Sequence, residues 1–263
     1  MDGMYEMLRT EISKRGLMYH AVGHSWTCEP FGLDGTTWGA TGGGEIAPEI
    51  RQYLAQFNGR RELFMDIPLN TNLCFSQAEV RRRMTEAIVN YCLEHPNVDI
   101  LHYWLSDGTN NHCECDDCVK MLPSDWYVML LNELDEAMTA AGLTTKVVFL
   151  LYVDLLWAPE QMKLKNPDRF ILMFAPITRT YSASMADAPA FDESQLPPYV
   201  RNQLQFPASV SENLAWMRRW RRNFNGDGFV FDYHFMWDHF FDPGYYEMAK
   251  TLFKDMQSLH KFG

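Results

Sequence analysis

Short apolar runs that end at a polar residue recur along this chain and alternate with segments of helical periodicity. Six of these runs are strand candidates: 17–23, 62–65, 98–105, 147–153, 170–174 and 229–231. Continuous apolar strands are typical of a parallel sheet whose faces are covered, and the helical segments between them can supply the crossovers. The chain is therefore predicted to have an α/β fold.

Two architectures fit this alternation. About six strand-helix units are two short of the eight in a (β/α)₈ barrel, so we predict a TIM-barrel-like parallel barrel that is incomplete. A doubly wound open sheet is the alternative, but no Gly-x-Gly-x-x-Gly motif follows a strand candidate. With 263 residues, 47% of them hydrophobic, residues 1–263 are predicted to form a single barrel domain. We expect this domain to be a fragment of a larger protein, with the remaining domains as its partners.

The helical segments have apolar faces and recognisable end signals. Helices are predicted near 4–12, 80–91 and 126–137, the last with Ser124 as its N-cap. Two more are predicted over 213–223 and 245–260. The polar, proline-containing stretch from 175 to 207 is predicted to be a long loop bordering the site.

Polar side chains and aromatic rings follow almost every strand candidate. The carboxyl ends of strands in a parallel barrel open into one bowl, so we expect these groups to lie together. Hydrogen-bonding groups beside flat apolar rings suit a polyol, which makes carbohydrate the predicted ligand. The catalytic candidates are Asp107, Asp154 and Asp232, and the substrate-binding candidates are His24, Trp26, Asn110, Asn111, Tyr152, Trp157, Arg179, Tyr181, His234 and Trp237.

Asp107 is the first candidate for an acid catalyst. It directly follows an apolar strand and precedes Gly108, where the backbone can turn sharply toward a ligand. Cleavage of a glycosidic bond requires a carboxylic acid that protonates the leaving oxygen and a second group that stabilises an oxocarbenium-like centre. Asp154 and Asp232 could equally accept sugar hydroxyls or pair with nearby histidine and arginine residues.

The charge of the chain restricts its partners. Lys and Arg number 23 against 34 Asp and Glu, which gives a formal net charge of −11. Nucleic-acid binders usually present a basic surface, so no nucleic-acid partner is predicted. No apolar stretch approaches the roughly 20 residues that span a bilayer, and the first residues lack a secretory signal pattern. We therefore predict a cytoplasmic chain without a membrane partner.

Three of the six cysteines crowd into one segment. His112, Cys113, Cys115 and Cys118 offer four soft ligands within seven positions, which is dense enough for a structural zinc site. Adjacent His112 and Cys113 have difficulty binding the same ion, so Cys28, Cys74 or another histidine could supply a ligand. A disulfide and reduced structural thiols are the alternatives. The predicted chemistry itself requires no cofactor.

Several segments also carry a family resemblance. Trp104-Leu105-Ser106-Asp107-Gly108 leads into the cysteine cluster, and Pro123-Ser124-Asp125-Trp126-Tyr127 follows it. Together with segments 15–17, 23–27 and 174–179, this pattern resembles a bacterial domain family of unknown function with glycoside-hydrolase-like TIM barrels, related to endo-β-N-acetylglucosaminidases. The resemblance covers nearly the whole chain. It implies a (β/α)₈ fold and a carbohydrate substrate.

The resemblance implies a mechanism from which this chain departs. Family enzymes that act on N-acetylglucosamine are expected to use the substrate's acetamido group, oriented by one carboxylate while a neighbouring carboxylate protonates the leaving group. Here Ser106 precedes Asp107, and no adjacent Asp-Glu pair stands at that strand end. A two-carboxylate mechanism and an inactive variant both stay open.

Three functions remain compatible with the sequence. The leading hypothesis is a glycosidase-type domain that acts on a neutral or N-acetylated sugar, with Asp107 as the acid. The alternative is a non-catalytic carbohydrate-binding domain of a larger protein. The third is a metal-dependent hydrolase that uses the cysteine cluster.

Overall fold

A computed structural model of the chain describes residues 2–21, 23–236 and 238–262. Its strands are β1 (His20–Ala21), β2 (Gln56–Phe57), β3 (Arg60–Arg61), β4 (Ile100–Tyr103), β5 (Lys146–Leu151), β6 (Phe170–Phe174) and β7 (Gly228–Val230). Its α-helices are α1 (Asp2–Lys14), α2 (Pro48–Arg51), α3 (Ala78–Glu94), α4 (Pro123–Ala140), α5 (Val210–Arg221) and α6 (Tyr246–Ser258). Short 3₁₀ turns lie between these elements, among them His24–Thr27 after β1 and Val153–Leu156 after β5.

Five strands form one parallel sheet in the order β1-β4-β5-β6-β7. Each strand is added beside the previous one in chain order, whereas a doubly wound sheet reverses its order at a switch point. In the part of the chain that the structure describes, no ladder joins β1 to β7. The α/β prediction is confirmed, and a closed barrel is not found.

The two faces of the sheet are covered differently. Residues that alternate along β4, β5 and β6 (Leu101, Tyr103, Val147, Phe149, Leu151, Leu172, Phe174) pack with α3, α4 and α5 in the main core. The residues between them (Ile100, Val148, Leu150, Met173) form a smaller apolar cluster on the opposite face, bordered by Trp104, Tyr152, Phe229 and Tyr233. The helices therefore cover one face only and leave a second, aromatic face.

The second face is concave. The rings of His20 on β1 and Phe229 on β7 lie 6.5 Å apart between centroids, although these strands are the two edges of the sheet. In a flat sheet, strands four places apart would be separated by about 19 Å. The sheet is therefore strongly curled, and the carboxyl ends of its strands open around a common bowl, which we call the concave face.

The predicted strand at 62–65 is not part of this sheet. Met65 and Asp66 have positive φ angles of 54° and 61°, and Phe64–Asp66 is a 3₁₀ turn, so the backbone there is not extended. The preceding residues form a hairpin of β2 and β3, with Asn58 and Gly59 at positive φ in its two-residue turn. The sheet thus has five of the six predicted strands.

The predicted helices are confirmed with small shifts at their ends. Helix α4 begins at Pro123, one residue before the predicted cap, and the Asp125 carboxylate accepts the Leu122 N–H at 3.3 Å. Segment 175–207 contains only short 3₁₀ turns, as predicted for a long loop. Among the described residues, no helix combines the length and apolar character that crossing a membrane requires.

Candidate functional site

Asp107 lies at the carboxyl end of β4, on the rim of the concave face. Its backbone N–H donates to Leu69 O at 2.7 Å, and Gly108 follows with a φ of 88°, a conformation that favours glycine. The half-buried carboxylate accepts the Trp38 indole N–H at 2.9 Å, the Tyr152 hydroxyl at 3.2 Å and the Gly108 N–H at 2.8 Å. Both carboxylate oxygens are thus held by donors from three parts of the chain.

Aromatic side chains surround this carboxylate. Trp38 is 59% exposed, and its ring is therefore available to a ligand. Burial and the charge of Asp107 raise the pKa of the Tyr152 hydroxyl, and burial together with Asp107 and Asp232 raises that of Tyr233. Both phenols therefore stay protonated at neutral pH and can donate hydrogen bonds.

His24 is a second polar group at this rim. Its Nδ1 atom lies 2.6 Å from Leu105 O, and its ring contacts Trp104 edge-on at 4.8 Å. Burial lowers the pKa of His24, against the opposing effect of the nearby Asp107 charge. The imidazole is consequently neutral at neutral pH, and its Nδ1 is the donor to the carbonyl.

Asp232 follows β7 and belongs to a network with Arg179, His234 and Asp255. Arg179 Nη1 lies 3.7 Å from Asp232 Oδ2, and Arg179 Nη2 donates to Asp255 Oδ2 at 2.6 Å. His234 Nε2 lies 3.0 Å from the same Asp255 oxygen. Asp232, His234 and Asp255 are close enough to hold a metal ion, but the buried Arg179 guanidinium already supplies the positive charge.

Tyr181 contacts this network through its ring and its hydroxyl. The buried ring lies under the Arg179 guanidinium at 4.5 Å, and its hydroxyl accepts the Tyr233 N–H at 3.1 Å. Burial and the neighbouring Asp232 raise the pKa of Tyr181. Arg179 and Tyr181 therefore position the segment that carries Asp232 and Tyr233. A cavity of about 470 Å³ is lined by Arg179 of this network together with Thr109, Tyr152, Val153, Ile177, Thr178, Thr180 and Ala208.

Asp154 is placed beneath the loop that follows β4. The side chain is buried, and its two oxygens accept the Asn110 backbone N–H at 3.0 Å each. Burial raises the pKa of Asp154 to about 6. The Asn110 side chain in turn exchanges hydrogen bonds with the backbone of Leu204, at 2.7 and 3.2 Å. Both residues therefore connect loops.

Asn111 ties the β4 loop to the loop before α3. Its buried amide donates to Asn70 O and to Asp107 O at 2.8 Å each, and its oxygen accepts Asn72 Nδ2 at 2.9 Å. These contacts fix the position of Asp107 relative to the neighbouring loop. They also leave the Asn111 side chain turned inward.

Two of the predicted tryptophans belong to the main core. Trp26 is 3% exposed and donates its indole N–H to His102 O at 2.9 Å. Trp157 is 5% exposed, donates to Pro197 O at 2.9 Å and packs on Trp216. Both rings are buried and each indole donor is satisfied by a backbone carbonyl, so neither ring is exposed to a ligand as predicted. Trp237 lies outside the described residues.

Four cysteine sulfurs converge at a separate place, next to the β2–β3 hairpin. The thiols of Cys74, Cys113, Cys115 and Cys118 lie within 4.8 Å of one another, and this group could bind a metal ion. Cys74 thus joins the three predicted cysteines in the place of His112. The His112 backbone pairs with the Asn202 amide, and burial, followed by Arg201, lowers the pKa of its imidazole to about 3. Cys28 and Cys92 are buried thiols outside the group.

Sequence reasoning missed several residues of these sites. Trp38 lies in a glycine-rich loop without periodicity, and only its aromatic character in polar surroundings could have indicated a ligand contact. Tyr233 follows Asp232 directly and was open to the same strand-end argument. Asp255 lies on α6 as one of several charged residues, and no local signal distinguishes it.

Comparison with known proteins adds no relative: no protein-family model, no curated protein and no solved structure matches this chain. The assignment of function therefore depends on the geometry of the site.

Proposed function

We propose that the concave face binds a neutral or N-acetylated carbohydrate around Asp107 and that Asp107 acts as the acid in cleavage of a glycosidic bond. The observation that carries the proposal is the rim carboxylate held between the exposed Trp38 ring and the Tyr152 hydroxyl. An exposed indole ring can stack on the apolar face of a sugar, while the carboxylate and the hydroxyl beside it can form hydrogen bonds with the sugar hydroxyls.

Asp232 is the second carboxyl group in this proposal. The charges of Asp107 and Asp232 both raise the pKa of the Tyr233 hydroxyl, and the two residues follow β4 and β7 at the same end of the sheet. Glycosidases use such pairs, one group protonating the leaving oxygen and the other stabilising the oxocarbenium-like centre or activating water. His24 and Tyr233 would contribute hydrogen bonds to sugar hydroxyls, with the imidazole neutral and the phenol protonated.

We also propose that the sheet is part of a (β/α)₈ barrel. The chain-order arrangement of five parallel strands, the one-sided helix cover and the contact between His20 and Phe229 support it. In such a barrel, functional groups collect at the carboxyl ends of the strands, where Asp107 and Asp232 lie. The hydrolytic chemistry then needs no cofactor, and a metal at the four thiols has a structural role.

The test is hydrolysis of a panel of aryl glycosides, including N-acetylglucosaminides, by the wild-type chain and by Asp107→Asn. Loss of a general acid is expected to reduce turnover of phenyl glycosides by about 100-fold or more, because general acid catalysis contributes about that much. Dinitrophenyl glycosides should be affected far less, since their leaving group needs no proton. Asp187→Asn, which neutralises an exposed carboxylate in an ion pair with Lys254, is the matched control.

A binding domain without catalysis is the second candidate. The observation that favours it is that both Asp107 oxygens already accept hydrogen bonds from the protein, an arrangement suited to holding sugar hydroxyls. Calorimetric titration with N-acetylglucosamine oligosaccharides distinguishes the two functions. Binding that is lost in Trp38→Ala, together with no hydrolysis of any glycoside, would support recognition alone. Neither binding nor hydrolysis would refute the carbohydrate site.

A further inference from the structure

The spacing of the four-cysteine group matches a tetrahedral metal site. Cys74 Sγ lies 3.5 Å from Cys115 Sγ and 3.8 Å from Cys118 Sγ. Zinc–sulfur bonds of about 2.3 Å in a tetrahedron place the sulfur atoms about 3.8 Å apart. A disulfide would require about 2.05 Å, so these sulfurs are not bonded to each other. We propose that Cys74, Cys113, Cys115 and Cys118 bind one zinc ion as thiolates.

Hydrogen-bond donors around the group are directed at sulfur. Arg61 Nη2 lies 3.5 Å from Cys74 Sγ, and the Gln56 backbone N–H donates to Cys113 Sγ at 3.2 Å. Ser76 Oγ lies 3.4 Å from Cys74 Sγ, where its hydroxyl can donate to the sulfur. Four thiolates on a divalent ion leave two negative charges, and a guanidinium with backbone and hydroxyl donors stabilises this excess. Neutral thiols would gain little from a partly buried guanidinium beside them.

The four sulfur ligands also determine which metal binds and whether its role is structural or catalytic. All-sulfur tetrahedral sites select zinc or iron among the common first-row metals, and four protein ligands leave no open position for water or substrate. Three of the four cysteines are buried, with Cys115 at the edge of the group. The site is therefore structural, which removes the basis for a metal-dependent hydrolase at this position.

The ion would join segments that are distant in sequence. Cys74 lies just before α3, whereas Cys113, Cys115 and Cys118 lie in the long loop between β4 and α4. The Glu114 N–H, within the same loop, donates to Gln56 O of the hairpin at 2.8 Å. Zinc would close these segments into one unit, and its free energy of binding would add to that of folding.

Elemental analysis of the purified full-length chain tests the assignment. We expect about one zinc per chain in the wild type and in Cys92→Ser, which removes a buried thiol on α3 outside the group. Cys118→Ser should reduce bound zinc to a small fraction of that value. A wild-type chain without zinc, iron in its place, or a Cys74→Ser/Cys118→Ser variant that keeps its zinc would overturn the proposal.

A second measurement covers the case in which Cys118→Ser fails to fold. The native wild-type chain is titrated with p-hydroxymercuribenzoate, which binds thiolates, in the presence of a chromogenic zinc indicator. Zinc release in step with thiol modification is expected, reaching about one equivalent per chain. Modification of the thiols without release of zinc would refute the site independently of any variant, and independently of whether the chain binds sugar.

Discussion

The buried Asp154 carboxyl should make the chain less stable as the pH rises from about 4 to about 7. Burial raises its pKa to about 6 from an ordinary value of 3.8, so the folded state holds the proton more tightly than the unfolded state. The contribution of Asp154 to stability is therefore fully present below its pKa in the unfolded state, and it is lost as the pH rises through its pKa in the folded state. The difference of about two pKa units corresponds to about 3 kcal/mol, most of it lost by neutral pH.

Asp154→Asn isolates this contribution. The amide keeps the shape of the side chain and one acceptor for the Asn110 N–H, but it does not ionise. Urea unfolding of both proteins at several pH values gives the free energy of unfolding of the wild type minus that of the variant. We expect this difference to fall by about 2 to 3 kcal/mol between pH 4 and pH 7, in the order of magnitude that linkage gives.

The control is Asp187→Asn, which makes the same substitution at an exposed carboxylate and so shows how much of the change follows from the loss of a charge alone. If the wild type and Asp154→Asn showed parallel pH profiles, the carboxyl would be ionised equally in both states. The burial argument for Asp154 would then be wrong.

Two further predictions concern stability. Tyr127→Phe should destabilise the chain by about 1–3 kcal/mol in urea unfolding, because the buried hydroxyl donates to Tyr103 O and accepts the Leu150 N–H at 3.0 Å. The matched control is Tyr103→Phe, at an equally buried ring whose hydroxyl has no hydrogen-bond partner among the described residues. This substitution should be neutral or stabilising. Asp255→Asn should cost about 3–5 kcal/mol, because it removes the charge of the nearer carboxylate partner of the buried Arg179. Burial raises the pKa of Asp255, but hydrogen bonds from His234, Arg179 and Ser184 outweigh this effect and lower the pKa to about 2. The contribution of Asp255 to the stability of the folded chain is therefore lost as the pH falls from about 4 toward 2. An Asp255→Asn variant with the same loss below pH 4 as the wild type would contradict this assignment.

The sequence alone is sufficient to locate helices and strands that have a local pattern of apolar residues. Apolar periodicity located α3, α4 and α6, and the β-branched and aromatic run at 147–153 located β5, because packing against one sheet imposes a regular pattern. The strand ends then gave Asp107 and Asp232 by a simple rule about parallel sheets. The strand at 62–65 failed because its apolar residues belong to a turn. The Asn58-Gly59 pair before it was a hairpin signal.

Contacts between distant segments could not be obtained in this way. Trp38 reaches Asp107 across 69 positions, and Cys74 reaches Cys115 across 41, with no periodicity to connect either pair. Trp26 stands in a polar segment that predicts exposure, yet the carbonyl of His102 accepts its indole N–H and allows the ring to be buried. The curl of the sheet is likewise a property of strand curvature, which residue type records only weakly.

The curvature of the sheet connects the stability of the chain with its candidate function. Because α3, α4 and α5 cover only the convex face, the concave face depends on a small apolar cluster and on the loops at the strand ends. Buried polar groups help to fix those loops: Asp154 under Asn110, Asn111 against Asn72, and Arg179 against Asp255. The Asp107 carboxylate remains half-buried at the rim. Substitutions at Asp154 or Asp255, which hold these loops, should therefore change the free energy of unfolding, while Asp107→Asn should change the chemistry that we propose for the concave face.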